Sequence, residues 1–183
     1  TVVLSTAGGK VQADNEAIFS GDAPSFTHLR LTRTADFNND GYLDVAIANH
    51  GYDAGSLSGE YNGLLLNSRA GGFIVDTSAP AFNYRGFTHA MAVGDIDNDG
   101  DVDIVYVDIT GDDVNYRTPV RILYNDGAGS FRHESPAFSH DYATQQELSW
   151  TAAALADLDG DGYLDLIVGA MNSRGRNMVF YND

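Results

Sequence analysis

The stretch Asp95-Ile-Asp-Asn-Asp-Gly-Asp-Val-Asp103 places five aspartates within nine residues. Like charges at this spacing repel one another, so the stretch is either a solvated acidic turn or a loop built around a cation. Two sister stretches decide between these. Asp36-Phe-Asn-Asn-Asp-Gly-Tyr-Leu-Asp44 and Asp157-Leu-Asp-Gly-Asp-Gly-Tyr-Leu-Asp165 share its frame, D-x-[DN]-x-D-G-x-x-D. The three frames start 59 and then 62 residues apart, the mark of a repeat of about 60 residues. A merely solvated run has no reason to recur with glycine at the same sixth position each time.

The spacing suits a hard cation such as calcium, which takes about six to eight oxygens at about 2.3–2.6 Å. Side-chain oxygens at the first, third and fifth positions converge when the backbone curls. Glycine permits the sharp turn, the seventh residue offers its carbonyl, and the ninth closes the site. The expected ligands are Asp36, Asn38, Asp40, Tyr42 (carbonyl) and Asp44; Asp95, Asp97, Asp99, Asp101 (carbonyl) and Asp103; Asp157, Asp159, Asp161, Tyr163 (carbonyl) and Asp165. No His or Cys enters a frame, which argues against zinc and copper, and magnesium tolerates crowded carboxylate cages poorly. Three calcium ions would bring the formal charge from −16 to −10. The first site has one carboxylate fewer and is expected to bind most weakly.

The flanks repeat as well. Before the loops lie Leu31–Ala35, Ala90–Gly94 and Ala152–Ala156; after them lie the β-rich runs Leu43–Ala48, Val102–Val107 and Leu164–Gly169. A third run ends in Asn at Asn67, Asn125 and Asn182, and a glycine turn with an aromatic (Phe73, Phe131) opens a fourth. Four short strands per unit and no helix-period stretch predict an all-β chain. Its units are β-propeller-type blades of four antiparallel strands, three repeats in a single domain over 1–183. The third unit stops at Asn182-Asp183, whereas Ala7-Gly-Gly-Lys-Val11 and Ile18–Phe26 resemble Ala70–Ile74 and Ile74–Phe82. The N-terminal segment is therefore expected to complete the last blade or a neighbouring chain's blade. Propellers close with roughly four to eight blades, so three leave open edges. Dimeric closure, membership of a larger propeller and filament formation are the three outcomes.

These residues resemble the FG-GAP/VCBS repeat family, including the calcium-binding blades of integrin α-subunit propellers. The resemblance covers the loops, their flanking strands and Tyr124-Asn-Asp-Gly-Ala-Gly-Ser-Phe131. It implies a propeller whose calcium loops join the first and second strands of each blade. Dockerins and thrombospondin type 3 repeats share the loop frame but set it in helical or strandless flanks. This chain departs from the family in blade number and at Asn67-Ser-Arg-Ala-Gly-Gly-Phe73, where the Asp-Gly of the turn is lost.

In an antiparallel meander the calcium loops and glycine turns share one face, and the longer, uneven connections share the other. That second face carries His50, Tyr52, Tyr61, Tyr84, Tyr116, His140, Tyr142 and Trp150. Aromatics beside Asn, Asp and Arg suit a glycan or protein ligand, although Tyr side chains also pack blades and Trp150 could wedge between them. The 26 acidic against 10 basic residues oppose nucleic acid and anionic membrane as partners. No apolar run is long enough to insert in a bilayer, and the absence of Cys excludes disulfides and zinc–thiolate sites. Thr1-Val-Val-Leu-Ser5 lacks Met and a leader pattern, so it reads as a mature or excised start. No G-x-S-x-G, H-E-x-x-H or phosphate loop is present, and His28 and His89, each after Phe-Thr, fall out of register on the loops. The expectation is an extracellular calcium-binding recognition module, not an enzyme. A self-assembling structural protein is the alternative, and a polysaccharide-acting enzyme or its non-catalytic domain comes third.

Overall fold

Short β-branched runs separated by Gly and Asn–Asp turns dictate strands, and no α-helix occurs among the described residues. The structure, a computed structural model, describes residues 3–5, 11–13, 26, 28–51, 59–70, 72–76, 82–109, 120–134, 150–171 and 176–183. The strands are β1 (Val3–Ser5), β2 (Val11–Ala13), β3 (Leu29–Ala35), β4 (Asp44–Asn49), β5 (Glu60–Tyr61), β6 (Gly63–Asn67), β7 (Phe73–Asp76) and β8 (Arg85–Gly86). They continue as β9 (Thr88–Gly94), β10 (Asp103–Asp108), β11 (Val120–Asn125), β12 (Phe131–Glu134), β13 (Trp150–Ala156), β14 (Asp165–Ala170) and β15 (Met178–Phe180).

Three antiparallel sheets of propeller-blade type result. Sheet I is β3-β4-β6-β7, sheet II is β9-β10-β11-β12, and sheet III is β13-β14-β15. Two-stranded pairs, β1-β2 and β5-β8, accompany them. The acidic loops join the first strand of each sheet to the second, closing on the pairs Ala35–Asp44, Gly94–Asp103 and Ala156–Asp165. Each first strand carries a one-residue bulge at the matching position, at Arg30, His89 and Thr151. This bulge was not read from the sequence, because an extra residue leaves the apolar alternation nearly intact on both sides of it.

Sheet II is the centre of the packing. On one side Met91, Ile104, Tyr106, Leu123 and Phe131 meet Phe37, Ala46, Ala48 and Leu64 of sheet I. On the other, Ala90, Ala92, Val105, Val107 and Val120 meet Trp150, Leu166 and Val168 of sheet III. All six residues of β10 are therefore buried, while five of the seven residues of β3, which begins sheet I, are exposed. Each fully buried Ile, Val, Leu or Phe contributes about 1.5–3 kcal/mol, so these two seams hold the sheets together.

Within this chain, among the described residues, the N-terminal segment does not pair with the last blade. β2 pairs with β1, and the five-residue connection and closing pair Ser5–Val11 reproduce those of β6-β7 (Asn67–Phe73) and β11-β12 (Asn125–Phe131). The segment thus forms the third and fourth strands of a blade-type hairpin, and among the described residues no strand lies on the outer edge of β15. Loop closure favours this pairing. Each doubling of loop length costs about 0.6 kcal/mol, so bringing β2 to the far end of the chain costs about 3 kcal/mol more than the local hairpin.

Candidate metal centres and the opposite face

The acidic loops are organised by their own main-chain amides. The first aspartate accepts two of them: Asp36 from Asp40 and Gly41 at 3.0 and 2.7 Å, Asp95 from Asp99 and Gly100 at 3.1 and 2.9 Å, Asp157 from Gly160 and Gly162 at 2.7 and 3.1 Å. The fifth accepts the seventh residue's amide, as Asp40, Asp99 and Asp161 do from Tyr42, Asp101 and Tyr163, each at 2.9 Å. Such curling requires left-handed backbone twice per loop. The sixth-position glycines have φ of 86°, 97° and 96°, and the fourth position is also left-handed, at Asn39 (54°), Asn98 (59°) and Gly160 (83°). Asn and Gly are the residues that tolerate this conformation, and the frame carries them at both positions.

The ninth aspartates do more than close a loop. Asp44, Asp103 and Asp165 are wholly buried. One oxygen of each accepts the amide of the loop's second residue (Phe37, Ile96, Leu158) at 2.8–2.9 Å. The other accepts the amide of the third-strand asparagine (Asn67, Asn125, Asn182) at 2.7, 2.8 and 3.0 Å. Those asparagines then join neighbouring units. Asn125 Nδ2 donates to the Phe37 carbonyl of the first loop at 2.8 Å, and Asn182 Nδ2 to the Ile96 carbonyl of the second at 2.7 Å. Fourth-position asparagines reach the other way, Asn39 to Asp101 at 2.6 Å and Asn98 to the Gly162 carbonyl at 3.1 Å.

With the amides holding them, carboxylate oxygens converge. One oxygen from each of Asp95, Asp97 and Asp99 lies within 4.8 Å of the others, and Asp157, Asp159 and Asp165 do the same. Burial pushes the Asp103 carboxyl up to about 6, against the two amides that hold it, and raises Asp44 likewise. Burial and then the Asp99 charge raise Asp97; burial and neighbouring aspartates raise Asp159. A divalent cation among these groups reverses each of those costs, and the donors are hard oxygens throughout. The residues present therefore fit calcium. In the first loop Arg69 Nε stands 2.9 Å from Asp40 Oδ2 and holds that carboxyl below its ordinary value, whereas in the second Arg132 stands 3.5 Å from Asp97, whose carboxyl burial still raises.

The comparisons follow the same residues. The FG-GAP-like repeat pattern matches residues 36–106, and the FG-GAP repeat pattern matches residues 149–180. The chain belongs to the FG-GAP repeat family. It is also 25% identical over 159 residues to cartilage acidic protein 1 of Xenopus tropicalis, and 26% identical over 157 residues to the same protein of Mus musculus. Those alignments cover 84% and 83% of this chain but 22% of each relative, so the chain spans about a fifth of their length. The departure from the FG-GAP pattern at Ser68-Arg69 now has a physical account. Arg69 occupies the position of Gly127 in the second repeat, adopts φ 59°, and delivers its guanidinium to Asp40. At Gly127 (φ 74°) a Cβ would lie 2.6 Å from the Asp101 carboxylate, so a side chain there is strained by the backbone and displaces Asp101.

At the opposite ends of the sheets the expected ligand residues divide. Tyr61 on β5 is 42% exposed, with the Arg85 guanidinium of β8 5.1 Å above its ring. Trp150 is 1% exposed, donates Nε1–H to the Arg176 carbonyl at 2.9 Å and meets Phe180 edge-on, so it is the wedge between sheets II and III. Tyr84 is buried beneath Arg121, whose guanidinium lies 3.8 Å from the ring centre. His50 is buried against Phe87 and His89. Tyr84 and His50, candidates for the ligand face, are interior, and Trp150 takes the wedge position that was its alternative, because the sheet ends on which they sit pack against the next sheet. Tyr52, Tyr116, His140 and Tyr142 lie outside the described residues.

A polar chain crosses the seam beneath them. Asn62 Oδ1 accepts the Asn49 amide at 2.8 Å, Asn62 Nδ2 donates to Thr88 Oγ1 at 3.0 Å, and Thr88 donates to Asp108 at 2.6 Å. Arg121 Nε completes it, 3.1 Å from the other Asp108 oxygen, with both side chains 1% exposed. Gly86 is required above this pair, since a Cβ there would lie 2.7–2.9 Å from Asp108 and Arg121.

Proposed function

We propose that this chain is an extracellular, calcium-stabilised recognition module that binds glycan or protein ligands through the face opposite its acidic loops. The observation that carries the reading is the shared loop scaffold. In all three loops the sixth-position glycine amide donates to the first aspartate, and in two of them three carboxylates converge, with Arg132 3.5 Å from Asp97 at the edge of the second. Such loops match the weaker, extracellular class of calcium site, with affinities of about 10⁻⁴–10⁻³ M. Acidity is also the property named in the relatives, and no helix among the described residues is long and apolar enough to cross a membrane. On the opposite face Tyr61 and Arg85 form an exposed aromatic–cation pair of the kind that anchors ligands. Calorimetric titration with calcium tests the first half, and no binding at millimolar calcium overturns it. A glycan array and capture on immobilised extracellular proteins, with Tyr61→Ala as control, test the second.

The outer face of sheet III favours a second reading, assembly through blade faces. Ala152, Ala154, Leu158, Ile167, Val179 and Tyr181 occupy the positions that Ala90, Ala92, Ile96, Val105, Ile122 and Tyr124 hold in sheet II. In sheet II those residues are covered by sheet III. In sheet III they face outward, with Val179 41% and Tyr181 62% exposed. A second blade of the same construction fits this face, and particle mass in solution, with and without calcium, separates a discrete ring from a filament.

A further inference from the structure

The first loop already contains a cation of the chain's own. Arg69 lies in the β6-β7 turn, where the second repeat has Gly127, and its backbone is left-handed at φ 59°. A side chain at that φ persists only where its surroundings hold it. Three contacts do so. The Arg69 amide donates to Asn67 Oδ1 at 3.0 Å, the Ser68 amide closes the turn on the Gly72 carbonyl at 2.7 Å, and the guanidinium carbon stands 5.8 Å from the centre of the Tyr42 ring. Nε then donates to Asp40 Oδ2 at 2.9 Å. Asp40 Oδ1 accepts the Tyr42 amide, so both oxygens of this carboxylate are engaged.

The corresponding carboxylates of the other loops keep one oxygen open. Asp99 and Asp161 each accept the amide of the seventh residue at 2.9 Å and no second hydrogen bond among the described residues. Arg132 does not take the part of Arg69. It stands 3.5 Å from Asp97, not at Asp99, and is drawn to Glu134 and to the Tyr124 ring, whose centre is 4.4 Å from the guanidinium carbon. Charge points the same way. The second frame carries five carboxylates and the third four, whereas the first carries three with a guanidinium bound to one of them. Oxygens of three carboxylates come together within 4.8 Å in the second and third loops but not in the first. The guanidinium offsets part of the charge that attracts a divalent ion, and it must leave Asp40 before that group can ligate one.

We propose that Arg69 is the resident cation of the first loop: its guanidinium closes the loop on Asp40, so the first loop forms without calcium and the chain takes its calcium in the second and third. A loop closed in this way stays formed when calcium is scarce. It then presents Asn39 to Asp101, and the Phe37 carbonyl to Asn125, as fixed partners for the second repeat. Calcium in the second and third loops rests on the function proposed above, whereas closure by Arg69 stands without it.

Amide hydrogen exchange of the full chain, read by NMR at Gly41, Gly100 and Gly162, tests both halves, since each amide donates to the first aspartate of its loop. In EGTA Gly41 should keep the protection it has in calcium, while Gly100 and Gly162 exchange about tenfold faster. Acceleration of Gly41 alongside them overturns the proposal. Arg69→Asn removes the guanidinium and keeps a residue that tolerates left-handed backbone. In EGTA this variant should exchange Gly41 about tenfold faster than the unsubstituted chain, and an unchanged Gly41 overturns closure by Arg69 whatever the other loops do. Gly100 and Gly162 unmoved by EGTA overturn the calcium half together with the proposed function, and leave the variant to decide closure by Arg69. Calorimetric titration of the unsubstituted chain should fill two sites, and a third site of equal affinity overturns the proposal.

Discussion

Both oxygens of Asp103 are engaged by main-chain amides, so replacing it disturbs the fold before it disturbs any ion. Asp103→Ala leaves two buried amides unsatisfied, at about 1–3 kcal/mol each, and destabilises the protein even in chelator. Asp97→Ala removes a partly exposed carboxylate and is expected to cost stability only when calcium is present. Urea denaturation of both variants with and without calcium distinguishes the two roles. Since burial holds Asp103 up to about 6, the metal-free fold keeps a proton there that the unfolded chain releases at the ordinary aspartate value. This group therefore stabilises the metal-free form increasingly as pH falls from 7 through 6, and a bound cation must expel its proton. Calcium added to metal-free protein should release more protons at pH 6 than at pH 7.5, and Asp103→Asn should abolish the difference in a pH-stat titration. Arg69 works in the other direction. Its guanidinium competes for Asp40 and sits at positive φ, so Arg69→Gly should raise the affinity of the first loop several-fold, as followed by site-resolved NMR. The expectation of a weaker first site comes from the missing carboxylate at Asn38. The part of Arg69 was not legible, because it lies 29 residues from Asp40 in sequence and only the β4-β6 pairing brings them together.

At the scale of elements, each unit is a hairpin closed by a loop and then tied to its third strand by one asparagine. Asn125 Nδ2 donates twice, to Phe37 O in the first loop and Val102 O in its own, at 2.8 and 3.1 Å. Asn67 Nδ2 donates once, to Leu43 O at 3.3 Å, while the Oδ1 of each accepts an amide of its own turn. Asn125→Ala should therefore cost about 1–3 kcal/mol and Asn67→Ala distinctly less, measured as shifts in the urea midpoint. The strands themselves were readable from the sequence, since Val45–Ala48, Val102–Val107 and Leu164–Val168 are β-branched or apolar runs between glycine turns. The bulges at Arg30, His89 and Thr151 were not. A bulge changes which way one side chain points without changing the composition of the run, so His28 and His89 looked like a misaligned pair when His89 alone is the bulge residue.

Among the described residues the sheets form a stack in which sheet II is covered on both sides and sheets I and III each on one. The loops also carry the inter-sheet bonds of Asn39, Asn98, Asn125 and Asn182, so calcium bound there, as proposed, would stabilise the stack and not only the turns. Removing it with EGTA should lower the melting temperature and broaden the transition; an unchanged melt counts against the proposal. If the outer face of sheet III mediates assembly, Ala154→Glu should convert any oligomer to monomer in light scattering while leaving the calcium-loaded melt within a few degrees. The sequence by itself determined the period, the strand-rich class and the acidic frames. These are local properties, set by residue spacing, glycine at positive φ and carboxylate chemistry, and they are printed in order along the chain. Only the tertiary structure decided that β1 and β2 form a hairpin of their own, that Trp150, Tyr84 and His50 face inward, and that His50 meets His89 across a seam. Burial and cross-sheet contact depend on which neighbour covers a surface, and that neighbour lies tens of residues away with no mark in the local pattern.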